Sequence, residues 1–152
     1  MLAESVARTE RLLALEPHHA EAWFRLGQIR QRQGEPKAAL DCLDRAIALR
    51  PARATNHLRL AQALAARGEA PDSAFAAAEH LAPSDALVRA EHVRAALARG
   101  DFATAREQAR RIVATYPEAA LGHTLEASLA LVERRDADAL VALRRALAAE
   151  WE

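Results

Sequence analysis

Cysteine is almost missing from this chain. Cys42 stands alone among 152 residues, which rules out an internal disulfide and a cysteine cage for a metal. Aromatic residues are scarce too, at 4%, although 51% of the chain is apolar. Alanine and leucine therefore carry the apolar content, which favours helices packed closely through small side chains. Lysine occurs once, as Lys37. Neither sign of charge dominates: 21 basic side chains face 21 acidic ones. That balance gives no general electrostatic case for nucleic acid or for an anionic membrane, and neither partner is expected. No apolar run approaches the ~18 residues of a membrane span. Residues 1–11 mix Glu4, Arg8 and Glu10 among apolar positions and do not read as a signal peptide. A cytoplasmic location is the default, though an excised piece of a longer protein would also lack its signal. Nucleophile elbows, phosphate loops and paired-carboxylate motifs are absent, so the chain is expected not to be an enzyme and to need no cofactor or metal.

What is present is periodic. Pro17, Pro51, Pro83 and Pro117 punctuate the chain, and a further step of the same length lands on Trp151. Gly34, Gly68 and Gly100 fall near the middle of the intervals. Ala46, Ala78 and Ala146 each sit at one fixed distance before the closing position, with Ile112 in that place in the third interval; Ala39, Ala105 and Ala139 share a second fixed distance. Within the first interval, apolar residues recur at helical spacing over 22–33 and again over 36–49. Gly34 suits the left-handed turn that stops the first helix. Pro36 suits the first turn of the second, where its missing N–H costs nothing. Pro51 then ends that helix. Short connections of this kind imply antiparallel neighbours.

Residues 20–51 resemble a tetratricopeptide repeat (TPR). The family pattern of Trp, Leu-Gly, Gly, Ala, large apolar, Ala, Pro is met by Trp23, Leu26-Gly27, Gly34, Ala39, Leu43, Ala46 and Pro51. The usual aromatic after Leu-Gly is replaced by Arg30. Residues 86–117 match well through Gly100-Asp101-Phe102 and Ala105, residues 54–83 and 120–151 less so, and residues 1–17 resemble the second helix of a preceding repeat. The resemblance implies an all-α fold: a right-handed α-solenoid of stacked antiparallel helix pairs, a TPR-like superhelix of about nine helices, as one domain over residues 1–152. The physical logic agrees, because a lone helix pair cannot bury its apolar face and stacking does so. Gly27, Ala39 and Ala46 let helices approach; Trp23, Leu26 and Leu43 fill the space between.

The pattern breaks in places. The second interval is shorter than the others between Gly68 and Pro83, so its second helix should start near Pro71 and be short. The fourth replaces the mid-repeat glycine with Arg134-Arg135-Asp136. Its first helix has its best apolar stripe at Leu121, Leu125, Leu129 and Val132, out of register with the first repeat. The last helix, 137–150, carries Leu140, Leu143, Ala146 and Leu147 with nothing after them to cover them. Three readings follow: the chain is a fragment of a longer protein, its terminal helices pair with another copy, or the open face is tolerated.

The resemblance further implies that the first helices of successive repeats line a concave groove for a peptide or protein segment. The groove-facing positions would be Glu21, Phe24, Gln28 and Gln31, then Thr55, Leu58 and Gln62, then Leu87, Ala90 and Arg94. Amides, apolar groups and a few charges could take an extended or helical segment; the alternative is an ordinary solvated helix face. Some TPR proteins clamp acidic chaperone tails with Lys and Asn. The matching positions here, Phe24, Gln28, Arg59, Leu87 and Glu91, do not form that clamp.

Six histidines are present. His57 and His123 stand where the first repeat has Trp23, and His92 stands where it has Leu26. They read as flat side chains filling a slot between helices rather than as metal ligands, since no pair has i,i+4 spacing. Arg11, Arg45, Arg111 and Arg145 recur at one position of the second helices, backed by Arg110 and Arg144. Acidic neighbours Asp41, Asp44 and Glu107 favour a salt-bridged face over a basic ridge. Cys42, with no fixed histidine partner, reads as a core residue. The leading expectation is therefore a non-enzymatic interaction module, a scaffold or adaptor holding a protein or peptide partner. The alternatives are an accessory region of a larger bacterial enzyme, such as a transferase, that recruits substrate or mediates dimerisation, and a self-associating assembly protein that forms a homo-oligomer through its uncapped terminal helices.

Overall fold

A computed structural model describes residues 2–149, the side chain of Leu2 excepted. Among the described residues every regular element is an α-helix: α1 Leu2–Leu15, α2 Ala20–Arg32, α3 Pro36–Leu49, α4 Ala54–Ala66, α5 Asp72–Leu81, α6 Ala86–Ala98, α7 Phe102–Thr115, α8 Ala120–Val132 and α9 Asp136–Ala149. The chain forms two compact units, residues 1–82 with α1–α5 and residues 83–152 with α6–α9. Within each unit every helix packs on the next one in sequence. None of the described helices is long and apolar enough to cross a membrane.

The helix ends follow from the residues that mark them. Pro36 occupies the first turn of α3, where no N–H is needed. Asp85 accepts from the Leu87 N–H at 2.9 Å to start α6, and Asp101 accepts from the Thr104 N–H at 3.1 Å to start α7; such side-chain oxygens satisfy an otherwise orphaned donor. His19 does the same for α2 through Nδ1, accepting from Ala22 at 3.1 Å. First helices end alike in all four repeats. Gly34, Gly68 and Gly100 take φ of 76°, 74° and 74°, and the next residue's N–H reaches back to Arg30, Leu64 and Ala96. In the fourth repeat Arg134 adopts the same left-handed turn at φ 59°, with Arg135 N–H reaching Ala130 at 2.8 Å. The turn thus persists without its glycine, at a steric cost that an L side chain bears there.

In residues 1–82, Val6, Leu13, Ala22, Leu26 and Cys42 form one cluster, flanked by Trp23 and Ile29. Leu40, Leu43 and Ala63 form a second, against which Phe24, Leu60 and Leu64 pack. Gly27 is where α2 meets α3: a Cβ there would lie 3.0 Å from Leu43 Cγ and 3.2 Å from the Ala39 carbonyl oxygen. In residues 83–152 the core is Ala90, Val93, Ala96, Ala105, Ala109, Ile112, Leu125 and Leu129. Burying Ile112 fully contributes roughly 1.5–3 kcal/mol.

The expected stripe of α8 is realised in part. Leu125 and Leu129 are buried, but Val132 is 53% exposed, and His123, Ala127 and Ala130, in the register of the first repeat, are buried as well. With α7 on one side and α9 on the other, α8 buries both stripes. The helix α5 begins just after Pro71 and is shorter than its counterparts. On α9, Leu140, Leu143 and Leu147 are exposed, whereas Ala146, expected to share their open face, is buried.

Candidate peptide-binding groove

In residues 1–82 the first helices α2 and α4 lie beside each other. Gln28 and Gln31 project from α2 and line a shallow pocket of about 260 Å3 with Arg32 and Arg59. Both glutamines are half-buried. Gln62 accepts from Arg59 at 2.9 Å, which places a third amide beside the same guanidinium. These groups offer donors and acceptors together, the equipment for a peptide main chain. The sequence reading named the glutamines and, among the clamp-equivalent positions, Arg59, but missed Arg32. The signal for Arg32 was present: it is one helical turn beyond Gln28.

The other proposed groove positions are occupied differently. Glu21 bonds Arg25 at 3.3 Å and also pairs with Arg53. The Arg53 hydrogen bond holds the Glu21 carboxyl below the usual glutamate range. Phe24 is half-buried against the Leu40–Leu43 cluster, and the Arg53 guanidinium sits 5.9 Å from its ring centre, within cation–π reach. Phe24 thus belongs to the packing more than to an open surface. Leu58 is half-buried and Thr55 exposed. In residues 83–152, Leu87 is 63% exposed and Arg94 pairs with Glu91. Ala90, however, is fully buried. It offers no surface to a partner, because its short side chain is packed into the core cluster that also holds Val93 and Ile112.

The histidine slot has a definite chemistry. Trp23 Nε1 donates to the Pro17 carbonyl at 2.8 Å. His57 Nε2 stands 2.7 Å from the Pro51 carbonyl, and His123 Nε2 stands 2.9 Å from that of Pro117. A carbonyl only accepts, so each histidine carries its proton on Nε2. Indole and imidazole do one job: each ties the start of a first helix to the proline ending the helix before. Arg30, which replaces the usual aromatic, reaches Glu10 on α1 at 2.8 Å and Glu35 at 2.7 Å, fastening α1 to α2. Among the second-helix arginines, Arg111 pairs with Glu107 at 2.9 Å, and Arg45 lies 5.3 Å from the Trp23 ring centre. Cys42 is buried, and burial pushes its thiol pKa up, away from the reactive thiolate.

Two tetratricopeptide repeat models match the chain, one over residues 3–78 and the other over residues 91–152. The chain belongs to the TPR family. Its described residues share the fold of several solved TPR-like structures. MamA 41-end from Desulfovibrio magneticus RS-1 is 16% identical over 98% of this chain and 85% of that one, with a TM-score of 0.80. YrrB, a TPR protein with an unusual peptide-binding site, is 18% identical over 99% of this chain and 79% of that one, with a TM-score of 0.71. PilW, a type IV pilus biogenesis factor, is 17% identical over 99% of this chain and 71% of that one, with a TM-score of 0.77. At such identities the likeness is one of fold, an all-α TPR solenoid. A comparison with curated protein sequences finds no match.

Proposed function

We propose that this TPR protein is a non-catalytic scaffold that holds a peptide or protein segment on the first helices of residues 1–82. The observation that carries the reading is the amide and guanidinium pocket of Gln28, Gln31, Arg32 and Arg59 on neighbouring first helices. An extended segment laid there would exchange main-chain hydrogen bonds with the amides, and half-buried Leu58 would meet one of its side chains. Membership of the TPR family and the fold shared with YrrB support the reading.

Panning a phage-displayed peptide library against the full chain tests it. Enriched peptides should bind wild type and lose at least tenfold in affinity against Gln28→Ala/Gln31→Ala. Those two polar side chains can be truncated with little effect on the core, whereas Phe24→Ala would disturb packing. Peptides that bind the double variant as well as wild type would reject the groove.

Self-association is a second reading, favoured by the exposed Leu140, Leu143 and Leu147 on α9. It expects a mass by light scattering that rises with concentration and returns to the monomer value in Leu140→Glu/Leu147→Glu. A constant monomer mass would end it.

A further inference from the structure

Residues 83–152 form a cleft beside positions that residues 1–82 fill with leucines. Pro17 and Pro83, like Pro51 and Pro117, mark equivalent points of alternate repeats. In that register Phe24, Leu40, Leu43, Leu60 and Leu64 correspond to Ala90, Arg106, Ala109, Glu126 and Ala130. The first set is an apolar cluster. The second exchanges bulk for alanine and two leucines for charges; Ala90 is packed into the core, and the other four, Arg106, Ala109, Glu126 and Ala130, line a cleft of about 330 Å3 formed by α7, α8 and α9. A cleft bordered by four positions that the other unit fills with leucines is unlike an ordinary surface dimple.

The chemistry of the cleft is specific. Its floor is apolar, made by Ala109, Leu129, Ala130 and Ala142. Two of its acidic groups are already engaged: Glu133 accepts from both Arg106 and Arg135, and Asp138 accepts from Arg135 at 2.8 Å; Glu126 lies 3.5 Å from His123 Nδ1. Arg110 and Arg145 line the cleft, and neither has an ion-pair partner among the described residues. The geometry points to a second binding site, on the second-helix side of residues 83–152, for a partner segment that places an aliphatic side chain on the alanine floor and a neighbouring carboxylate between Arg110 and Arg145. The occupant is an acidic–aliphatic peptide rather than nucleic acid, because the alanine and leucine floor takes an aliphatic side chain and no aromatic residue lines the cleft for a base to stack on. Guanidinium groups at an apolar cleft are well suited to a carboxylate, which they bind in bidentate fashion.

Fluorescence anisotropy on the full chain tests the site with a labelled peptide of alternating leucine and glutamate. Saturable binding is expected, weakened at least tenfold by Arg110→Gln/Arg145→Gln, whose side chains are exposed and whose circular dichroism should match wild type. Ala109→Leu/Ala130→Leu, which restores the bulk of the sister positions, should block binding to the same degree; if that variant fails to fold, the arginine pair still decides. A counterpart peptide with glutamine for glutamate should bind at least tenfold more weakly. The proposal is overturned by equal affinity of wild type and the arginine variant, by equal affinity of the glutamine peptide, by an absence of saturable binding to wild type, or by a labelled oligouridylate that binds more tightly than the peptide.

Discussion

At the scale of single residues, the clearest departures from the repeat pattern have physical explanations. Arg134 bears a left-handed backbone that glycine bears elsewhere. Arg134→Gly should therefore raise the unfolding free energy by about 1 kcal/mol in urea denaturation, and Gly34→Ala should lower it by a similar amount. Equal stabilities for Arg134 and its glycine variant would show that the turn is unstrained. Glu21 supplies a pH-dependent contribution. Its pKa is held below the usual glutamate range, chiefly by the Arg53 hydrogen bond, so the pair stabilises the fold above the unfolded-state value and loses this as pH falls through the lower, folded-state one. Glu21→Gln should cost about 0.5 kcal/mol at pH 7 and progressively less as the pH falls through the folded-state value. Thermal scans of both proteins from pH 7 down into the acid range check this. The Arg106–Glu133–Arg135 group has the same sign, its carboxyl lowered first by Arg135 and then by Arg106.

Residue identity foretold some of this chemistry and concealed the rest. The placing of His57 and His123 in the Trp23 slot was legible from spacing alone. Their shared bond to a proline carbonyl was not, because the proline oxygen carries no sequence signal beyond the proline itself. The burial of Ala90 was not legible either. Its position matches Phe24 in register, yet its side chain is too short to reach a surface.

At the scale of helices, boundaries were readable because the signals are local: Pro36 opens α3, Gly34 closes α2, and Pro71 precedes the short α5. The α8 register was harder to read, because neighbours on both sides bury both stripes and periodicity loses its contrast. Packing between elements yields a direct expectation. Leu26 is 6% exposed in the cluster with Val6 and Leu13, so Leu26→Ala should cost ~2–5 kcal/mol. A denaturation midpoint close to wild type would contradict the assigned register. Gly122 escaped the sequence reading. A Cβ there would lie 2.7 Å from Val113 Cγ2, so Gly122→Ala should destabilise the α7–α8 contact by about 1 kcal/mol, measurable in the same way.

At the scale of the whole molecule, repetition is what made the fold visible, and departures from repetition are where the candidate sites lie. The repeat positions Trp23, Leu26, Gly27 and Ala39 build the scaffold, and the residues between them are free to vary. Gln28 and Gln31 were proposed for the groove face from the family resemblance. The arginines that complete their pocket come from a turn further along each helix, and only the packed structure shows them converging. The cleft of residues 83–152 was less legible still, since it arises from side chains that are small or charged where the sister repeat has bulk.

The central claim is that a peptide is held by the first helices of residues 1–82. The most direct test is nitrogen-15 NMR of the full chain titrated with a library-selected peptide, following the side-chain amides. The account predicts saturable shifts in the amide resonances of Gln28, Gln31 and Gln62, with the side chain of buried Gln108 unmoved. Saturation of binding with those three resonances unchanged would contradict it.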